Sequence, residues 1–184
     1  MPSHREDARA VVVVESMFGN TRAVADAVAA GLSESVPTTV VDVTAAPATV
    51  TAELLVVGGP THAFGMSRPA TRDAAVTQGA GDEHSATGIR EWIGRLGRPG
   101  RRGRTEAAAF DTRIRKPGVP GSAARSALHR LRRRGLPPLA GPQSFWVSST
   151  SGPLVDGELE RARDWGRLLA DRLAERGSRP ASRR

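Results

Sequence analysis

The sequence predicts an α/β fold, with one open parallel sheet covered by helices on both faces. Three observations predict it. Ala10-Val11-Val12-Val13-Val14 is a short, wholly apolar, β-branched run, the habit of a strand buried on both faces. A β–α–β unit with a short first turn lies within the first 60 residues. Beyond it, strand-like and helix-like segments keep alternating until five strands are counted.

Each element has its own signal. Residues 10–14 form the first strand, and the polar, Gly-containing turn 15–20 follows. A helix over 21–32 places Val24, Ala25, Val28 and Leu32 at helical spacing. Residues 38–43 and 54–57 read as the second and third strands, the latter ended by Gly58-Gly59-Pro60. Residues 67–76 read as a helical turn opened by Ser67, with Pro69 in its first turn. Residues 77–88 read as a loop. A helix over 89–96 gathers Ile89, Trp92, Ile93 and Leu96 on one face. Gly97 to Arg104 is a basic, Gly-rich surface connection. Residues 106–110 contain three alanines, which favour helix by propensity, but the alternation of elements places the fourth strand there. Ser122 caps a helix that Gly135 ends, with Leu128 and Leu131 as its apolar edge. Residues 144–148 give the last strand, with Trp146 assigned to the core. A final helix is capped by Asp156, turns Leu159, Ala162, Leu169 and Leu173 inward, and ends at Gly177.

The 184 residues suit one domain, long enough to bury roughly 70% of its unfolded surface. The chain has no cysteine, which excludes disulfides, thiolate metal sites and cysteine nucleophiles. Aromatics are 4% with no tyrosine, so an aliphatic core is expected. The net charge is +8, and the 26 arginines outnumber a single lysine, Lys116. Half the excess sits in Arg176, Arg179, Arg183 and Arg184. The organisation expected is an arm over 1–9, a domain over 10–175 and a basic tail over 176–184. The arginines 130, 132, 133 and 134 suit a helix C-terminus and read as solvated surface. No interleaved aromatics or nucleic-acid motif accompany them, so nucleic acid is not an expected partner. No transmembrane run or secretory signal is visible, and the expected location is the cytoplasm, without membrane insertion.

In such sheets, ligands bind beyond the carboxyl ends of the strands. The first turn there is Ser16-Met17-Phe18-Gly19-Asn20-Thr21, directly before a helix. Backbone N–H groups at a helix start, with hydroxyl and amide donors beside them, suit one monophosphate. No lysine of a nucleotide-hydrolase loop follows, and no G-x-G-x-x-G is present. A plain turn with a good helix cap is the other reading. The second turn is Gly59-Pro60-Thr61-His62-Ala63-Phe64-Gly65. Its apolar and hydrogen-bonding mix suits a flat heteroaromatic ligand, or else Phe64 tucks into the core and His62 is solvated. The third, Phe110-Asp111-Thr112-Arg113, either closes the same crevice or merely caps a turn.

Ser16 to Thr21 after a Val-rich strand resembles the phosphate loop of the flavodoxin family. Gly58-Gly59-Pro60-Thr61, followed by His62 to Gly65, is similar to that family's second flavin loop. The resemblance spans roughly residues 10–175. It implies a flavodoxin-like three-layer sandwich, with a five-stranded parallel sheet in the order 2-1-3-4-5. It also implies one non-covalent FMN, its phosphate on the first turn and its ring between the later two. The implied function is electron carriage between redox partners. The alternative is a flavin-dependent NAD(P)H:quinone or small-electrophile reductase. No catalytic residue and no metal ligand is implied. Typical flavodoxins carry a threonine where Phe18 stands, and an aromatic there looks more like flavodoxin-fold quinone reductases. Tyr or Trp usually stacks on the ring. Here only Phe64, Phe110 or Trp146 is available for that place. Many flavodoxins are also acidic, whereas this chain is basic.

Overall fold

The computed structural model describes residues 9–62, 65–81, 87–97, 105–115 and 121–178. In chain order the elements are β1 (Ala10–Val14), α1 (Asn20–Ser33), β2 (Thr38–Asp42), β3 (Leu54–His62) and β4 (Gly65–Met66). They continue with α2 (Pro69–Thr77), α3 (Ile89–Arg95), β5 (Glu106–Ile114), α4 (Ala123–Arg133), β6 (Gln143–Val147) and α5 (Glu158–Gly177). The five long strands lie in the order β2-β1-β3-β5-β6, and every neighbouring pair is parallel. That is the 2-1-3-4-5 order expected. The addition is β4, which pairs antiparallel with the end of β3.

Strand alternation divides the core into two layers. Val12, Val14, Leu54, Val56 and Ala108 pack with Val24, Val28, Leu32, Trp165 and Leu169 on the α1 and α5 side. Val13, Leu55, Val57, Ala107 and Ala109 pack with Ile89, Trp92, Leu128 and Leu131 on the α3 and α4 side. The alanines of β5 are fully buried on both faces. Their central place in the sheet overrides their helical propensity. Among the described residues no helix is long and apolar enough to cross a membrane.

Several expectations are corrected. β3 does not stop at Val57, and β5 does not stop at Phe110. The two support each other through Gly58↔Phe110, Gly59↔Asp111 and Pro60↔Thr112. β1 ends at the level of Gly58. Beyond it β3 has an edge on that side, where proline is tolerated. Ser67 does not cap α2. Arg68 holds the cap position, and Ser67 Oγ accepts from Arg72 Nη1 at 2.9 Å. Gly157, with φ 81°, precedes α5 without any side-chain cap from Asp156. Leu159 is 46% exposed, and Trp165 joins the inward stripe instead. In β6 it is Phe145 that enters the core, whereas Trp146 is half-buried on the opposite face. There the Arg113 and Arg115 guanidiniums each lie 5.9 Å from its ring centroid. α5 runs past residue 175, and Arg176 Nη1 lies 2.9 Å from Glu106 Oε1 on β5. Residues 1–8, 82–86, 98–104, 116–120 and 179–184 fall outside the described residues, and so do parts of the expected arm, loop, basic connection and tail.

Candidate functional site: a crevice above the sheet

A cavity of about 220 Å³ opens beyond the carboxyl ends of β1, β3, β5 and β6. The first turn supplies Met17, Phe18, Asn20 and Thr21 to its wall. Pro60, Thr61 and His62 come from the end of β3, and Thr112, Arg113 and Ile114 from the end of β5. Val147 and Thr150 complete it. No carboxylate lines it, and Arg113 is its one formal charge among the described residues.

The first turn is shaped by Gly19, whose φ of 87° is left-handed. A Cβ there would meet no atom within 4 Å, so the position faces open space. The N–H groups of Phe18, Gly19, Asn20 and Thr21 have no backbone acceptor among the described residues. They stand at the positive end of a helix of 14 residues. Ser16 Oγ accepts from Arg22 N at 3.1 Å, which leaves its own hydrogen free to donate. Thr21 Oγ1 lies 2.7 Å from Thr112 Oγ1 and ties the turn to β5. Asn20 does not point its amide into the cradle: Nδ2 donates to Ser151 O at 2.9 Å.

On the second wall, Thr61 Oγ1 donates to Asp111 Oδ2 at 3.0 Å and accepts from Ala123 N at 2.9 Å. Burial, and then the charge of Arg72, push the His62 imidazole below its ordinary value of 6.5. The ring is therefore neutral at pH 7, with one donor and one acceptor nitrogen. Gly65 is half-buried on β4. Ala63 and Phe64 lie outside the described residues.

The third turn is not a turn, and two of its four residues do not line the crevice. Phe110 is 1% exposed, packed edge-on against Phe145 and Trp165 at 5.9 and 6.2 Å. It fills the space over Gly58, where any Cβ would lie 2.0 Å from the ring. Asp111 projects to the α4 side, where Oδ2 accepts from Ser122 Oγ at 2.5 Å and from Ala124 N at 3.0 Å. Thr112 and Arg113 do line the crevice.

No protein-family model matches the chain, and no curated protein sequence matches it. Solved structures do. A flavodoxin from the domain Archaea is similar at 19% identity and a TM-score of 0.62, over 90% of this chain and 98% of that one. Flavodoxin 1 from Bacillus cereus aligns at 18% identity and 0.62, over 88% and 97%. The fold is flavodoxin-like. A flavodoxin, WrbA-like protein from Agrobacterium tumefaciens aligns at 17% identity and 0.53, over 91% and 98%.

Two features of this flavodoxin-like chain escape the sequence reading. Ile114 extends the β5 wall, and Val147 and Thr150 make a fourth. Ser148-Ser149-Thr150-Ser151-Gly152 carries the same signal as the first turn, hydroxyls and a glycine after a strand. The other feature is a buried polar cluster around Glu15, the last residue before the first turn. Glu15 Oε2 accepts from Ile89 N at 2.8 Å, and Oε1 has no hydrogen-bond partner among the described residues. Burial raises its pKa above 4.5, against the opposing pull of Ser67, Ile89 and Arg72. Arg72, fully buried, reaches Glu91 Oε2 at 3.1 Å, which also accepts from Gly88 N at 3.0 Å. The cluster joins the end of β1 to the segment after β4 and to the start of α3.

Proposed function

We propose that the protein binds one FMN non-covalently in this crevice and carries electrons between redox partners. The observation that carries the reading is the run of N–H donors from Phe18 to Thr21, unpartnered among the described residues, opening on a cavity that no described carboxylate lines. These donors fit an ionised phosphate, and the helix start favours its charge. Ser16 and Thr21 add hydroxyls. Pro60 and His62 offer an apolar surface and a neutral hydrogen-bonding edge for the ring, and Phe64 is proposed as its aromatic neighbour. Bound flavin supplies the redox chemistry, and the chain orients it and limits water around it. The cavity is smaller than the roughly 300–1,000 Å³ of sites that enclose a drug-sized ligand. A flavin held here keeps an edge outside, which suits transfer to a partner.

The test is a titration of the purified chain with FMN. Saturation should change the flavin absorbance and raise the melting temperature, because the ligand binds only the native state. No change in either would refute the cofactor. A flavin-dependent NAD(P)H:quinone reductase is the second reading, favoured by half-buried Phe18 on the cavity wall. Steady oxidation of NADH or NADPH by a quinone, without any partner protein, would select the reductase. Its absence with several quinones would select the carrier.

A further inference from the structure

We infer that Thr150, on the loop after β6, is a phosphate ligand that supplements the first turn, an inference that rests on the FMN reading above. The loop after β6 holds four hydroxyl residues in a row, and their positions separate them. Ser148 Oγ donates to Pro153 O at 3.1 Å, and Ser149 Oγ donates to Gly152 O at 2.5 Å. Ser151 Oγ lies 3.5 Å from Ser149 Oγ. These three bind within the loop. Thr150 is exposed, has no side-chain hydrogen bond among the described residues, and is the one of the four that lines the cavity.

The loop is seated on the first turn. Asn20, the first residue of α1, donates its amide to Ser151 O at 2.9 Å. Gly152, with φ 103°, lies so close that a Cβ would stand 2.6 Å from both amide atoms of Asn20. Only glycine permits this approach. Thr150 is thus two residues from one contact with the α1 start and one residue from the other. The first turn, for its part, is short of side-chain donors. Asn20 is engaged with the loop, and Phe18 brings no hydroxyl. The hydroxyl that the turn lacks is brought to the cavity by Thr150 from the adjoining loop. Asn20 is the positioning residue that holds it there. With no carboxylate in the lining among the described residues, a phosphate beside the first turn and this loop meets donors from both and no opposing anion there.

The experiment measures Kd for FMN and for riboflavin by quenching of flavin fluorescence. It uses the full chain and its Thr150→Val and Thr150→Ser variants. Thr150→Val should weaken FMN binding about 10- to 100-fold, the range for one hydrogen bond to an ionised group. It should leave riboflavin binding and the melting temperature of the ligand-free chain unchanged, because riboflavin has no phosphate and the side chain is exposed. Thr150→Ser should restore FMN binding. Undiminished FMN binding by Thr150→Val would overturn this inference alone. Equal weakening of FMN and riboflavin would also overturn it, because the side chain would then act through the loop. If the unaltered chain binds neither flavin, the cofactor reading falls and this inference falls with it.

Discussion

Replacing Asp111 separates architecture from ligand binding at the crevice. Its Oδ2 accepts from Thr61 Oγ1, Ser122 Oγ and Ala124 N. Thr61 Oγ1 also accepts from Ala123 N, and Ser122 Oγ accepts from Arg125 N. One carboxylate thus organises three orphan N–H groups at the start of α4 and fastens them to β3. Bonds to an ionised group contribute about 1.5–3 kcal/mol each, so three set an upper bound near 9 kcal/mol. The freed donors rehydrate in part, and a single substitution that breaks a buried hydrogen-bond network exceeds about 4–5 kcal/mol only exceptionally, so about 3–5 kcal/mol is expected. For a chain of this length that is a fall in Tm of about 6–20 °C for Asp111→Ala. Asp111→Asn keeps an acceptor oxygen and loses the charge, so its fall should be smaller. Thermal unfolding followed by circular dichroism measures both. Riboflavin and FMN affinities, measured well below Tm, should weaken together or not at all. An unchanged Tm for Asp111→Ala would refute the capping account. A selective loss of FMN with unchanged Tm would return Asp111 to the cofactor wall.

Three further outcomes are expected. Gly19→Val should lower stability by about 1–2 kcal/mol through its left-handed φ alone, since no atom lies in its way, and should abolish FMN binding by filling the phosphate space; retained FMN binding, read by fluorescence titration, would refute the cradle. Glu15→Gln keeps an acceptor for Ile89 N but cannot titrate. The raised carboxyl pKa means that folding favours the proton, so the native advantage of Glu15 is full below 4.5 and is lost as pH rises through the folded value. Urea unfolding from pH 4.5 to neutral should show the wild-type stability falling relative to the variant; a rising difference would refute this, and His62 titrates in both proteins and cancels. Arg176→Ala removes the cation beside Glu106, which is 5% exposed, and should lower stability by about 1 kcal/mol. No change in the denaturation midpoint would show that the end of α5 adds nothing to the domain.

The first half of the fold was legible because its signals are local. A wholly apolar β-branched run and a helical stripe from Val24 to Leu32 need no knowledge of the rest of the chain. The ends of β3 and β5 were not legible, because Gly58, Gly59 and Pro60 carry turn propensity and are held extended only by a partner about fifty residues away. That single miss propagated into the site. With β5 ended at Phe110, the next three residues all pointed to the crevice as a turn. With β5 extended to Ile114, alternation sends Phe110 and Thr112 to one face and Asp111 to the other. Phe110 then belongs to the core below, and Asp111 to the start of α4. The exchange between Phe145 and Trp146 has the same origin. Both read as strand, but only the position of α5 over one face of β6 decides which of them is inward.

The crevice exists because the strands end at different heights. Val14, the end of β1, pairs with Gly58, while β3 continues four residues further to His62. At about 3.3 Å per residue, β3 rises about 13 Å above the floor where the first turn begins. On its other side β5 follows it up to Ile114, level with Val147 at the end of β6. The first turn therefore leaves the sheet at the foot of a step, with N–H groups at the floor and Thr61, His62, Thr112 and Arg113 above them. A charged group at the foot and a flat one against the step is the division of labour such a shape favours. The motif in residues 16–21 identifies the floor, but the register of β3 against β1 and β5 makes it a binding site.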